Sequence, residues 1–310
     1  MHILKNILLS TLLISGLASA ETKNGFELSQ SLIPVNQILQ GGPPRDGIPS
    51  IDRPEFIPAA QADFLQAKDR IIGIQVNGEA RAYPIKILNW HEIVNDTIQG
   101  KPVSVTFCPL CGTGIVYEAA LGGKTLQFGV SGLLYNSDVL LYDRQTETLW
   151  SQILSKAING PMKGQKLRMV TSSQTSWGKW LEQYPATKVL STNTGYTRDY
   201  ESSPYGNYDD SRKTYFPVSA ESRRYHPKER VLGITINGQH KAYPFKELAL
   251  AGGTTLTDQF AGQTLSIEFD VPNRDGQIKD ASGKNLELVN GFWFAWYAFH
   301  PETEVFSSGG

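Results

Sequence analysis

Residues 70–88, RIIGIQVNGEARAYPIKIL, return as residues 230–248, RVLGITINGQHKAYPFKEL, displaced by 160 positions without a gap. Arg, Gly, Asn-Gly, Ala, Tyr-Pro, Lys and Leu coincide, so the chain encodes one local structure twice. The likeness continues more weakly in IQGKPVSVTF (98–107) against FAGQTLSIEF (260–269), and in YDRQTETLW (142–150) against FHPETEVF (299–306). Such a chain reads as an internally duplicated unit, built as one large domain or two small ones.

Each unit has a coarse structural reading. Ile71–Val76 and Glu79–Tyr83 flank Asn77-Gly78, the pair that best tolerates positive φ at both centres of a type I′ turn, which predicts a β-hairpin; Asn237-Gly238 predicts its twin. Pro84 and Pro244 then suit the first turn of a short helix. Val103–Phe107, Ile115–Glu118, Thr125–Val130, Val139–Asp143 and Thr148–Ile153 follow as a meander. In SSQTSWGKWLEQYP (172–185), Trp177, Trp180, Leu181 and Tyr184 share a helical stripe behind Ser and Thr caps. The fold class expected is α+β, mostly antiparallel β, with short helices. The segments expected are a signal peptide (1–20), an N-terminal extension (21–51), a first β-rich repeat (52–170), a helix and Tyr-rich connection (171–217) and a second, degenerate repeat (218–310).

The signal peptide rests on Lys5, the apolar run Ile7–Leu17 and the small residues Ala18-Ser19-Ala20, and predicts a periplasmic or secreted protein. No later segment reaches the ~20 apolar residues of a membrane helix. Residues 1–20 carry one of the 29 basic side chains and none of the 30 acidic ones, so the remainder is slightly acidic and offers nothing to nucleic acid.

The two repeats differ where chemistry is concerned. The chain has two cysteines, both in TFCPLCGTGIVYE (106–118), where the second repeat has DVPNRDG; NWHEIVND (89–96) faces ALAGGTTL. A CxxC pair serves as a redox dithiol, as half of a metal site or as a small structural disulfide. As a redox site, Cys108 is the nucleophile, Cys111 resolves, and His91 tunes the thiol, with Glu92 available to orient the imidazole. Pro109 stiffens the turn, and Gly112 and Gly114 free backbone N–H groups to face a thiolate. As a metal site, Cys108, Cys111 and His91 suit copper or zinc; otherwise no cofactor is expected. GTGIVYE continues as a strand, which separates this pair from thioredoxin-type sites that open a helix. Tyr135, Asn136 and Trp150, with Arg198, are the candidate pocket residues, while Asp143 and Arg144 read equally as a turn and surface ion pair. The partner expected is a small molecule or a protein thiol or disulfide. The Tyr-rich stretch 191–217 either covers the seam between repeats or lines a ligand groove, and in the latter case the protein is a non-catalytic binding scaffold.

LNWHEIVND, VTFCPLCGTGIVYE, FGVSGLLYNSDVLLYDRQTETLWSQ, TGYTRDY and HPKERVLGI together resemble the bacterial and archaeal family named domain of unknown function 3179, over about Asp52 to Phe306. Its name carries no activity. In that family the cysteine matching Cys108 recurs, the position of Cys111 is often Thr, and some members are selenoproteins. The resemblance therefore implies a reactive chalcogen at Cys108 with Cys111 as an accessory.

Overall fold

The computed structural model describes residues 21–309, so the proposed signal peptide lies outside the described residues. The chain is mostly β, and five sheets of three to five strands are arranged as the blades of a propeller. Both predicted hairpins form: Arg70–Val76 pairs with Glu79–Pro84 and Arg230–Ile236 with Gln239–Pro244, in the same register. Asn77 and Gly78 take φ of +49° and +86°, and Asn237 and Gly238 +51° and +77°, the left-handed pair a type I′ turn requires. Pro84 and Pro244 stand one residue ahead of helices α1 (Ile85–His91) and, later in the chain, the helix Phe245–Ala251.

The same series of elements then runs twice. After α1 come Ile93–Ile98, Lys101–Cys108 and Thr113–Glu118; after Phe245–Ala251 come Thr255–Phe260, Gln263–Asp270 and Asp275–Lys279. Next, Ser172–Ser176 pairs back onto the first hairpin and leads into α2 (Trp177–Gln183), as Leu288–Phe292 does onto the second. With Phe245–Ala251 as α3, the helix after Leu288–Phe292 is α4 (Trp293–Phe299). Lys188–Leu190 and Glu304–Val305 finally add parallel to the hairpins.

Two sequence expectations are corrected here. Helix α2 and Lys188–Leu190 belong to the first series and are not a connection between repeats, because α4 and Glu304–Val305 occupy the same places in the second. Likewise FHPETEVF answers to QYPATKVL (183–190), not to YDRQTETLW. Thr187 Oγ1 accepts from Trp180 Nε1 at 3.0 Å just as Thr303 Oγ1 accepts from Trp296 Nε1 at 2.9 Å. YDRQTETLW instead lies in a five-stranded sheet, Lys156–Asn159, Leu149–Ser151, Asp138–Asp143, Phe128–Tyr135 and Ile38–Gln40, of which the first four strands are inserted between Thr113–Glu118 and Ser172–Ser176 and the last comes from the N-terminal extension. The strand expected at Thr125–Val130 starts at Phe128 and runs on to Tyr135, because a bulge at Ser131-Gly132 carries it past the glycine.

The halves lock by exchange. Arg230 Nη1 donates to Gly112 O at 2.9 Å, in the turn after Cys108, while Arg70 reaches the carbonyls of Asn273 and Arg274 in the equivalent turn of the second series. Trp180 lies over Gly73 and Trp296 over Gly233, where any Cβ would overlap the indole. No helix among the described residues is long and apolar enough to cross a membrane.

Candidate functional site

The cysteines sit in a hairpin loop whose geometry does not depend on cysteine. Cys108 pairs with Thr113, Cys111 N donates to Cys108 O at 3.2 Å, and Gly112 has φ +60°. The same loop in the second half puts Asp270 and Asn273 at these positions and satisfies them locally: Asn273 N donates to Asp270 Oδ1 at 3.0 Å and Asn273 Nδ2 to Asp270 Oδ2 at 2.9 Å. Two buried thiols therefore replace a self-sufficient polar pair. The loop is clamped from the second half, with Phe292 N donating to Cys111 O at 2.8 Å and the Phe292 ring covering Gly112.

A second hairpin tip meets the first. Asn136 and Ser137, at φ +52° and +67°, turn the inserted sheet so that Ser137 O accepts from the Cys111 thiol at 3.3 Å and faces Cys108 Sγ at 3.8 Å. Asp138 follows, and its carboxylate and the two sulfurs lie within 4.8 Å of one another, all fully buried. Ile153 N donates to Asp138 Oδ2 at 3.0 Å, whereas Oδ1 has no hydrogen-bond partner among the described residues. An acceptor buried without a partner costs about 1–3 kcal/mol, so one on a carboxylate beside two thiols calls for a chemical explanation.

Burial pushes the Asp138 carboxyl up to about 7. It raises Cys108 and, further, Cys111, and the negative charge of Asp138 adds to both. This overturns the expectation of thiols with lowered pKa. Of the backbone donors assigned to a thiolate, Gly114 N is spoken for, since it donates to Gln174 Oε1 at 3.0 Å. His91 is not joined to the sulfurs: Nδ1 is engaged by Pro49 O at 2.8 Å and Nε2 by the Tyr200 hydroxyl at 2.7 Å, and burial holds its pKa below the usual value. Both ring nitrogens are used, which leaves none to serve a thiol or a metal.

The residue beside it takes that place. Glu92 caps α1 with φ +56°, where α3 has Gly252 at +72°. Its carboxyl is buried, accepts from the Tyr205 hydroxyl at 3.2 Å and is pushed up to about 7 by burial, and its charge is felt at Cys108. Glu92 does not orient His91, because the His91 ring nitrogens bond Pro49 O and Tyr200 while Glu92 bonds Tyr205.

The predicted pocket residues disperse. Asn136 is a strut, with Nδ2 donating to Ala298 O at 3.1 Å and Oδ1 accepting from Ser219 N at 2.8 Å. Tyr135 packs edge-on to Phe299, and Trp150 Nε1 donates to the buried Asp143 at 2.9 Å. Trp150 shares the sulfurs' core cluster without lining a cavity. Asp143 is thus interior, and Arg144 pairs with Asp46 at 3.0 Å. Arg198 does line a cavity of about 450 Å³, together with Trp90, Glu92, Leu110, Tyr205 and Phe216. Of the Tyr-rich stretch, Tyr208 is buried in a cluster shared by both halves, Tyr200 is buried in the core of the first half, and Tyr205 and Tyr215 line that cavity.

A family model described as "Protein of unknown function (DUF3179)" matches residues 45–280. Among curated proteins and solved structures, none matches the chain. The chain belongs to the DUF3179 family.

Proposed function

We propose that this member of the DUF3179 family is an exported thiol oxidoreductase whose Cys108 and Cys111 cycle between dithiol and disulfide, with Asp138 as the proton acceptor. The observation that carries the reading is the Asp138 carboxylate within 4.8 Å of both sulfurs, with Oδ1 unclaimed. Burial disfavours the thiolate but neither neutral form, dithiol or disulfide, so a local base near neutrality is what the pair lacks and what Asp138 supplies. Oxidation forms one S–S bond, sends two electrons to the acceptor and releases two protons, the first to Asp138. Cys108 leads, since its thiol is raised less than that of Cys111, which resolves. That the counterpart loop in the second half holds its shape without cysteine argues against a purely structural disulfide. Mass spectrometry after oxidant treatment tests this: the wild type should lose two hydrogens and regain them with dithiothreitol. Recovery of two free thiols after saturating oxidant rejects the reading.

A second reading follows from the same cluster. Burial raises Cys108, Cys111 and Asp138, and the charge of Asp138 raises both thiols further, a situation a copper or zinc ion relieves, with Asp138 in the place expected of His91. Metal analysis of protein purified without chelators separates the two readings, because stoichiometric metal removed only with loss of fold favours the ion.

A further inference from the structure

The 450 Å³ cavity has walls of Leu110, Val130, Leu134, Val139 and Phe216, and one carboxyl, Glu92, in a mostly apolar lining whose other polar side chains include Asn89, Arg198 and Tyr205. Leu110 is the residue between Pro109 and Cys111, and Leu110, Val130, Leu134 and Val139 belong to the same packed cluster as both sulfurs. Cavity wall and thiols therefore meet in one packed cluster, with Leu110 of the cysteine loop itself in the wall. Glu92 is costly where it stands. A left-handed φ strains a non-glycine residue by about 1 kcal/mol or more, and the second half uses glycine at the same cap. Strain of this kind, on a buried acid facing a cavity, marks a group kept for chemistry.

The cavity also narrows the oxidant. Both sulfurs are at most 1% exposed, so a protein disulfide has no access to them. Hydrogen peroxide needs no apolar chamber, whereas a volume in the usual range for drug-sized ligands suits an apolar organic molecule. Resting on the dithiol reading above, we infer that the cavity admits an apolar organic hydroperoxide and that Glu92 is the acid that protonates its leaving oxygen. Cys108 gives its proton to Asp138 and attacks the distal oxygen. The O–O bond breaks, an S–O bond forms, and the alkoxide takes the proton of Glu92 to leave as the alcohol. Cys111 then displaces hydroxide from the Cys108 sulfenic acid, forming the disulfide and, with its own proton, water. The sum is dithiol plus ROOH to disulfide, ROH and water. Two carboxyls raised to near neutrality, Asp138 beside the sulfurs and Glu92 on the cavity wall, suit these opposite tasks.

The test is the single-turnover loss of thiols in the reduced full chain, with cumene hydroperoxide and with hydrogen peroxide. Cumene hydroperoxide should react at least tenfold faster. Leu134→Trp, which fills the cavity, should collapse that ratio, and Glu92→Gln should slow cumene hydroperoxide about 100-fold and remove the fall in rate as pH rises past neutrality. Equal rates with the two peroxides, or a ratio untouched by Leu134→Trp, overturn the inference and leave the dithiol reading standing. If neither peroxide consumes the thiols, both fall together.

Discussion

Glu92 illustrates how much a single residue reveals once its counterpart is known. At the same helix cap the second half has Gly252, so Glu92→Gly should relieve backbone strain and a buried acid together. We expect that variant to gain about 1–2 kcal/mol in urea unfolding at pH 7.5 while losing whatever acid chemistry the cavity supports. The same groups set a pH dependence. Glu92 and Asp138 have folded pKa values near 7, above their ordinary 4.5 and 3.8. The folded state then holds more protons than the unfolded state between about pH 4 and 7, and stability falls as pH rises through that window. Each contributes on the order of 3 kcal/mol. The urea midpoint should therefore drop from pH 5 to pH 8 in the wild type, and Asp138→Asn should flatten the slope; a midpoint rising with pH would contradict the burial argument. For the thiols, the raised pKa values predict that iodoacetamide reacts slowly below pH 9, later than a free cysteine of pKa ~8.5. The sequence offered Cys108 and Cys111 directly, since they are the only cysteines, and it offered Glu92 through its alignment with glycine. His91 looks like the better partner in the sequence, but its two buried ring nitrogens are taken by Pro49 O and the Tyr200 hydroxyl.

At the level of elements, the hairpins were legible because Asn-Gly has one preferred turn and the flanking residues alternate. Helix α2 was legible as a helix but not as part of the first unit, because its match to α4 rests on spaced residues, Trp177 and Trp180 against Trp293 and Trp296, spread over a changed offset. That match has an energetic consequence. Each helix presses an indole onto a hairpin glycine, so Gly73→Ala and Gly233→Ala should each cost about 1–3 kcal/mol or more by overpacking. Near-equal losses in chemical unfolding would show that the two helices do the same work, and a neutral Gly233→Ala would show that they do not.

Across the whole molecule, the second half serves as the clamp for the cysteine loop of the first. Arg230 and Phe292 both grip the cysteine loop, and Arg230 is buried enough for its guanidinium pKa to fall to about 9. Arg230→Met should leave the circular dichroism spectrum β-rich yet raise thiol alkylation severalfold at fixed pH, as the loop loosens; unchanged alkylation would mean Gln174, which also donates to Gly112 O, holds the loop alone. By itself the sequence determined the β-rich class, the repeated hairpins, the family resemblance and the residue pair around which any chemistry turns, because these depend on local pattern and on composition. Only the tertiary structure decided that Asp138 and Ser137 meet the sulfurs, that His91 bonds Pro49 and Tyr200 while the charge of Glu92 reaches Cys108, and that the Tyr-rich stretch walls a cavity. Those contacts join a hairpin tip from an inserted sheet to a loop about thirty residues earlier, and close packing of separate blades, which leaves no periodic trace along the chain, is what sets them.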